Sequence, residues 1–484
     1  MNSELRPHQQ QALAALRLSL GMGKRRPMMQ APTGFGKTIL AAAIVDGALR
    51  KGNRVTFVVP ALSLIDQTVE SFWREGIRDV GVIQASHEMT NPNRPVQVAS
   101  VQTLQRRAIP QSEIVVIDEA HRWFDFYGTW MGMDEWKRIP FVGLSATPWT
   151  RGLGKHFDDL IIAATTTDLI EAGYLSRFRV FAPSHPDLSG VRTVAGDYHE
   201  GDLSGAMDKP TLTADVVDTW RRIGEDRPTF VFAVDRAHAR HLRDRFGEAG
   251  ISTAYVDAFT TADERDAIRR QFHSGEVRVV CNVGCLTTGV DWDVRCIVLA
   301  RPTKSQMLYV QMIGRGLRTA DGKSDCLVLD HSDTTLRLGF VTDIHHTRLD
   351  DGRKDKNQST REKSAPLPKE CTSCSFLKPA GVSKCPSCGF QPQKLTAVEV
   401  EDGNLVELKP KHKPDEKRAF YAQLKGYAVQ HGKSDSWVLA NYRAKFSEWP
   451  HRKDIAPIEP GPEVIGWIRH RQIAWAKSKR SVAA

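Results

Sequence analysis

At 484 residues the chain exceeds what one hydrophobic core organises, and at the usual 100 to 200 residues per domain it suits about three domains. Its 41% apolar and 26% charged content is that of an ordinary globular protein, no apolar run reaches the roughly 20 residues that span a bilayer, and the start MNSELRPHQQ lacks the basic-then-apolar form of a secretion signal. Membrane-spanning and secreted classes are thereby set aside in favour of a cytoplasmic protein, and the formal net charge of +10 favours a polyanionic partner, nucleic acid before anionic lipid.

In chain order, the stretch PMMQ precedes APTGFGKT at 31–38, and KTILAAAIVDGALRKG at 37–52 reads as a helix with a glycine stop. Short β-rich runs follow at RVTFVVP (54–60), PVQVAS (95–100), EIVVID (113–118) and FVGLSA (141–146). The alternation then repeats: TFVFAV (229–234), a charged helix over 235–249, STAYVD, a second charged helix over 261–274, VRVVCN (277–282) and VRCIVLA (294–300). Strands alternating with helices predict an α/β fold with two parallel-sheet units in tandem, 1–173 and 174–342. The stretch HTRLDDGRKDKNQSTREKSAP (346–366) offers almost nothing to bury, so 343–368 reads as a charged linker. A cysteine-rich segment at 369–393 and a basic, mainly helical region at 394–484 complete the chain.

Chemistry concentrates in two places. Glycines at 34 and 36 let the backbone wrap phosphate while the next helix offers its free N–H groups; Thr33 lies in the same loop, Lys37 would reach the β and γ phosphates, and Thr38 would ligate Mg²⁺. Ala31 stands where the strict phosphate loop has its first glycine. Downstream, IVVIDEAH (114–121) runs an apolar strand into two carboxylates. By themselves these are either a solvated loop start or a metal site. With the glycine loop upstream, Asp118 is read as a Mg²⁺ carboxylate and Glu119 as the base for the attacking water.

The ordered series LRPHQ (5–9), APTGFGKT, VVPALSLIDQT (58–68), VASVQTL (98–104), DEAH, SAT (145–147), VGCLTTGVDW (283–292) and QMIGRGLR (311–318) resembles the superfamily 2 helicases of the DEAH-box lettering over residues 3–342. That resemblance implies two RecA-like domains and ATP hydrolysis. It implies that Gln9 reads adenine, that His121, Ser145 and Thr147 relay between nucleotide and strand, and that Gly289 and Asp291 line the cleft between domains. It further implies that Gln311, Arg315 and Arg318 face the γ phosphate. Guanidinium groups delivered by a second domain would stabilise transition-state charge only in the closed cleft; in isolation GRGLR could equally be two surface arginines on one helix face. The resemblance also places Ser63, Ser100, Gln102 and Thr103 near a nucleic-acid backbone, although each could instead serve as a helix cap or loop hydrogen bond.

Cys371, Cys374, Cys385 and Cys388 form C-x2-C-x10-C-x2-C, two thiolate pairs able to enclose Zn²⁺ in a segment too short for a core of its own. Cys281, Cys285, Cys296 and Cys326 lie in or beside apolar runs and read as buried thiols. From Asp415 to Ala484, 13 Lys and Arg face 7 Asp and Glu, so this piece carries 13 − 7 = +6. Trp437, Trp449, Trp467 and Trp475 are either stacking platforms for nucleic acid or an amphipathic core stripe, with core favoured for most. A helicase core followed by a four-cysteine knuckle and a basic helical tail resembles the bacterial RadD family of DNA-repair ATPases and their phage relatives. The expectation is an ATP-, Mg²⁺- and Zn²⁺-containing helicase or translocase on nucleic acid. DNA, single-stranded or branched, is the preferred substrate, with single-strand-binding or replication and repair proteins as partners, in a bacterial or phage-infected cytoplasm. An RNA helicase, or an ATPase switch that recruits partners without unwinding, are the rival readings.

Overall fold

The computed structural model describes residues 1–84, 87–287, 291–353, 366–392, 414–446, 449–450 and 454–480, with backbone alone at 414 and 473–480. Two compact units emerge, Met1–Gln393 and Lys394–Ala484.

The larger unit is built on two parallel sheets. The first comprises β1 (Pro27–Gln30), β2 (Val55–Val59), β3 (Val80–Ile83), β4 (Val96–Ser100), β5 (Ile114–Ile117), β6 (Phe141–Ser145) and β7 (Asp159–Ile162). Their order is β3-β4-β2-β5-β6-β1-β7, with every pairing parallel. β1, β2, β4, β5 and β6 are buried along their whole length, which is why they read as continuous apolar runs rather than alternating ones. Helices cover both faces: Leu40, Ile44, Phe57 and Phe72 pack on one, Tyr127, Trp130 and Trp136 on the other.

The second sheet starts from β8 (Arg177–Phe181). After a small hairpin, β9 (Thr193–Val194) and β10 (Asp197–Tyr198), come β11 (Thr229–Phe232), β12 (Thr253–Val256), β13 (Val279–Asn282), β14 (Cys296–Leu299) and β15 (Asp325–Asp330). The order β12-β13-β11-β14-β15-β8 is again all parallel. It repeats the first sheet's β3-β4-β2-β5-β6-β1 strand for strand. Both sheets thus send the loops of corresponding strands out of corresponding places on their C-terminal edges, where open α/β sheets bind ligands. A continuous buried apolar cluster runs through both lobes, including Phe35 and Leu144 of the first and Tyr309 and Ile313 of the second.

One expectation needs correction. The first part of the segment read as a solvated linker packs on the first lobe. His346 stacks on Trp149 at 4.6 Å, Leu349 joins the cluster around Trp130, Asp350 Oδ1 accepts from Gly152 N at 3.0 Å, and Asp350 O accepts from Gly154 N at 2.7 Å. Backbone hydrogen bonds and one stacked ring hold it where side-chain hydropathy alone signalled nothing. Residues 354–365 lie outside the described residues.

The cysteine segment carries β16 (Lys369–Glu370) and β17 (Leu377–Lys378), an antiparallel pair. It covers the exposed edge of the second sheet: Ala182 N donates to Ser375 O at 2.9 Å, and the Phe181 and Phe376 rings meet edge-on at 5.4 Å. In the smaller unit, helices Pro414–Gln430, Asp435–Phe446 and Pro462–Arg480 surround Phe420, Tyr421, Leu424, Tyr442 and Ile468, with Trp437 and Trp467 packed against that core. Trp449 is exposed under the Arg443 guanidinium; the side chain of Trp475 lies outside the described residues. Among the described residues no helix is long and apolar enough to cross a membrane.

Candidate nucleotide site and cysteine cluster

Strand β1 ends at Gln30, and the loop that follows turns through Gly34 and Gly36, whose φ values of 84° and 83° only glycine adopts without strain. A Cβ at Gly36 would lie 2.3 Å from the Gln9 amide nitrogen, so the loop is also tight against the N-terminal helix, Pro7–Gly21. Ala31 departs from the strict motif without loss of function for its backbone, since its N–H donates to Ser145 O at 2.8 Å and ties the loop's root to β6. Helix Lys37–Leu49 begins directly after Gly36, with Lys37 and Thr38 in its first turn.

β5 lies between β2 and β6 in the middle of the sheet, and Asp118 and Glu119 leave its C-terminal end toward the same loop. Glu119 adopts φ 47°, a left-handed conformation that costs about 1–3 kcal/mol and persists where neighbours enforce it. The enforcing contacts are visible: Lys37 Nζ donates to Asp118 Oδ1 at 2.8 Å and also binds Glu119 Oε1. Burial alone would lower the Lys37 pKa, but the two carboxylates outweigh it and raise it. Burial would raise that of Glu119, but Lys37 and His121 hold it well below the usual carboxylate range. Glu119 is therefore ionised, the form a general base requires.

From Glu119 a polar chain runs into the second lobe. His121 Nδ1 lies 3.3 Å from Glu119 Oε2 and 2.9 Å from Ser145 Oγ, and Ser145 Oγ accepts from Thr147 N at 3.0 Å. Across the cleft, Gln311 Nε2 donates to Thr147 Oγ1 at 3.2 Å and lies 3.5 Å from His121 Nε2. Gln311 belongs to the helix Gln306–Gly316, as does Gly314, where a Cβ would lie 2.6 Å from Thr33 Oγ1. The lobes meet directly on the phosphate loop. Arg315, on the same helix, is buried within the electrostatic reach of Glu119; burial and then Arg318 push its pKa down to about 9. Arg318 points elsewhere, its Nη1 bound to Asp291 at the surface.

The fit to a magnesium-bound triphosphate rests on charge and space. Two carboxylates share one ammonium group at the mouth of a glycine loop, a donor set that suits a divalent cation, and Thr38 is exposed one residue beyond Lys37. The cysteine cluster fits zinc on geometry. The four sulfurs of Cys371, Cys374, Cys385 and Cys388 lie within 4.8 Å of one another, with Cys371–Cys388 and Cys374–Cys385 at 3.7 Å. A tetrahedron with Zn–S near 2.3 Å has edges of about 3.8 Å.

Residues 2–150 match the family described as type III restriction enzyme, res subunit, and residues 211–320 match the helicase conserved C-terminal domain. A 51.5 kDa protein of a Lactococcus phage (isolate 7-9) is 27% identical over 443 residues, 87% of this chain and 89% of its own. A Saccharomyces cerevisiae protein assigned as the ATP-dependent helicase IRC3 is 30% identical over 353 residues, covering 67% of this chain and 51% of its own, so the chain spans about half of that relative. The chain belongs to the superfamily 2 helicases. Its paired sheets are the ATP-hydrolysing core of that superfamily. A solved fragment assigned as an HsdR subunit of a type I restriction enzyme from Vibrio vulnificus YJ016 shares the fold at a TM-score of 0.54 and 21% identity, covering 72% of this chain and 69% of that one.

Within this superfamily 2 core the remaining candidates fall unevenly. Lys37, Asp118, Glu119, His121, Ser145, Thr147, Gln311 and Arg315 come together at the cleft; Arg318 and Asp291 pair with each other beside it. Gln9 is fully buried and its amide donates to Phe35 O at 3.0 Å and Gly36 O at 3.3 Å, so it braces the phosphate loop. Ser100 is buried and caps its own helix, accepting from Thr103 N at 3.2 Å; Gln102 donates to Pro60 O at 2.9 Å; Ser63 is exposed in the loop after β2. Gly289 lies outside the described residues. The four remaining cysteines sit in the second lobe, with Cys281, Cys296 and Cys326 fully buried. Tyr174 escaped the sequence reading: its ring meets His8 at 4.8 Å and lies under the Arg6 guanidinium, beside the loop, although 166 positions separate it from His8. Only folding makes those residues neighbours.

Proposed function

We propose that this superfamily 2 core couples Mg²⁺-ATP hydrolysis to opening and closing of its two lobes on nucleic acid, DNA by preference, as a helicase or translocase. One observation carries the reading. The helix Gln306–Gly316 reaches the phosphate loop through Gly314, the relay through Gln311 and the neighbourhood of Glu119 through Arg315, so one element of the second lobe meets three parts of the site on the first.

In this mechanism the glycine loop and Lys37 bind the phosphates, Lys37 exchanging its carboxylate partners for phosphate oxygens. Thr38 and Asp118 would hold Mg²⁺, which when bound neutralises phosphate charge. Glu119 accepts the proton of the attacking water, and His121 holds Glu119 through Nδ1. Gln311 reports the state of His121 and Thr147 to the second lobe. Arg315 supplies positive charge from across the cleft, and Arg318 joins it when released from Asp291. Hydrolysis removes the anion that favours closure, and lobe movement follows.

The assignment of DNA rests on the basic balance of the chain and on relatives such as the phage T4 protein named ATP-dependent DNA helicase uvsW, 22% identical over 69% of this chain and 70% of its own. The phage relative supports a phage-infected cytoplasm as the site of action. Zn²⁺ in the four-cysteine cluster is structural, because four thiolates leave no position for substrate. ATPase rates with single-stranded DNA, duplex DNA and RNA, alongside strand displacement, test the proposal. DNA stimulation with displacement supports a helicase and without displacement a translocase; stimulation by RNA alone, or by neither, refutes the DNA assignment.

A further inference from the structure

Phe259 is 75% exposed, although a phenyl ring gains nothing from water. It sits in the loop that leaves the C-terminal end of β12, the edge strand of the second sheet. The loop is rigid. Asp257, only 4% exposed, accepts from Phe259 N at 2.8 Å and Thr260 N at 3.0 Å through Oδ1, and from Tyr255 Oη at 2.8 Å and Arg236 Nε at 2.8 Å through Oδ2. Its own N–H donates to Thr260 Oγ1 at 2.9 Å. The Arg236 guanidinium lies 4.6 Å from the centre of the Phe259 ring, and that of Arg240 lies 5.3 Å from the Tyr255 ring. The ring is therefore held outward with Arg236 over it and Arg240 over Tyr255 at the base of the same loop, and none of the hydrophobic clusters among the described residues includes it.

Position narrows what the ring meets. Because the second sheet repeats the strand order of the first, the connections after β11 and β12, which lead to Arg236 and Phe259, leave the second sheet at the places that correspond to the connections after β2 and β3 on the first. Ser63 follows β2 at the corresponding place on the first sheet. A flat apolar face flanked by guanidinium groups matches one chemistry closely: an unpaired nucleobase stacks on the ring while the arginines attract its phosphates.

We propose that Phe259 is a stacking platform for an unpaired base of a strand lying across the second lobe, with Arg236 and Arg240 as its charge partners. The proposal rests on the nucleic-acid reading above and deepens it. A base paired inside a duplex has both faces occupied and offers none to the ring, so Phe259 confers preference for single strands without preference for sequence.

The test compares the full chain with Phe259→Ala and Phe259→Trp, using a single strand carrying 2-aminopurine, whose fluorescence is quenched by stacking, and a blunt duplex. Phe259→Ala should weaken single-strand binding by about 5- to 100-fold, lose the quenching, and leave duplex affinity and unstimulated ATP hydrolysis unchanged, while Phe259→Trp retains binding and quenching. Unchanged single-strand affinity in Phe259→Ala, or equal losses on strand and duplex, overturns the platform and leaves the two-lobe motor standing. A wild-type chain that binds neither nucleic acid overturns both.

Discussion

In the proposed mechanism Lys37 and Glu119 carry the chemistry at the scale of single residues, one ammonium group for the phosphates and one ionised carboxylate for the water. Lys37→Ala should abolish ATP hydrolysis. Glu119→Gln should keep ATP binding, measured with a fluorescent nucleotide, while turnover stops; wild-type turnover in either variant refutes the site. The two arginines differ in surroundings, Arg315 buried in the cleft and Arg318 tied to Asp291 at the surface. If Arg318 acts as a finger once released, Arg318→Ala should cost on the order of 10³ in turnover, with nucleotide affinity little altered. The letters at 37, 118 and 119 are visible in sequence because phosphate and metal chemistry admits few alternatives, whereas 311 is legible only through the resemblance to superfamily 2 helicases. Tyr174 and Phe259 are not, since an isolated aromatic has no period or spacing to announce it.

At the level of elements, the helix Gln306–Gly316 works as the contact surface between lobes, and Gly314 sets how near it comes. Gly314→Ala would place a methyl group against Thr33, within 2.6 Å of its hydroxyl. Overpacking of this kind costs about 1–3 kcal/mol, so ATP turnover should fall by about 10-fold or more while the isolated variant remains folded by circular dichroism. Normal turnover would show that the cleft never closes this far. The cysteine knuckle is the other informative element. Its loop pairs with the end of β8 through Ser375 and Phe376, so the metal would hold a cover over a sheet edge that would otherwise present unpaired backbone. Cys388→Ser should release zinc, read by metal analysis, and lower the melting temperature; unchanged metal content rejects the cluster as a zinc site. Strand runs such as 55–59 and 114–117 were legible because fully buried parallel strands are uniformly apolar. The edge strands β3, β7 and β8 were not, because Gly81 interrupts the first and Asp159, Arg177 and Arg179 break the apolar runs of the others.

For the whole molecule, closure depends on parts far apart in the chain. The segment 346–352 leaves the second lobe and fastens to the first at Trp149, two residues beyond Thr147 of the relay, while His346 also bonds Gln306 at 2.8 Å on the second lobe's contact helix. Trp149→Ala should loosen this strap, seen as faster hydrogen exchange over 346–352 and a weaker coupling of DNA binding to ATP turnover; unchanged exchange would deny the fastening. The sequence by itself determined the tandem α/β plan, the phosphate and metal chemistry and the four-thiol cluster, since each depends on local composition or on residue types that few other uses permit. Only the tertiary structure decided that a charged, apolar-poor stretch binds as a strap, that Gln9 braces the loop, that Arg315 rather than Arg318 lies buried in the cleft, and that Phe259 faces water. Those outcomes depend on which backbone groups and rings meet across tens to hundreds of residues, and contacts of that range leave no periodic mark on the chain.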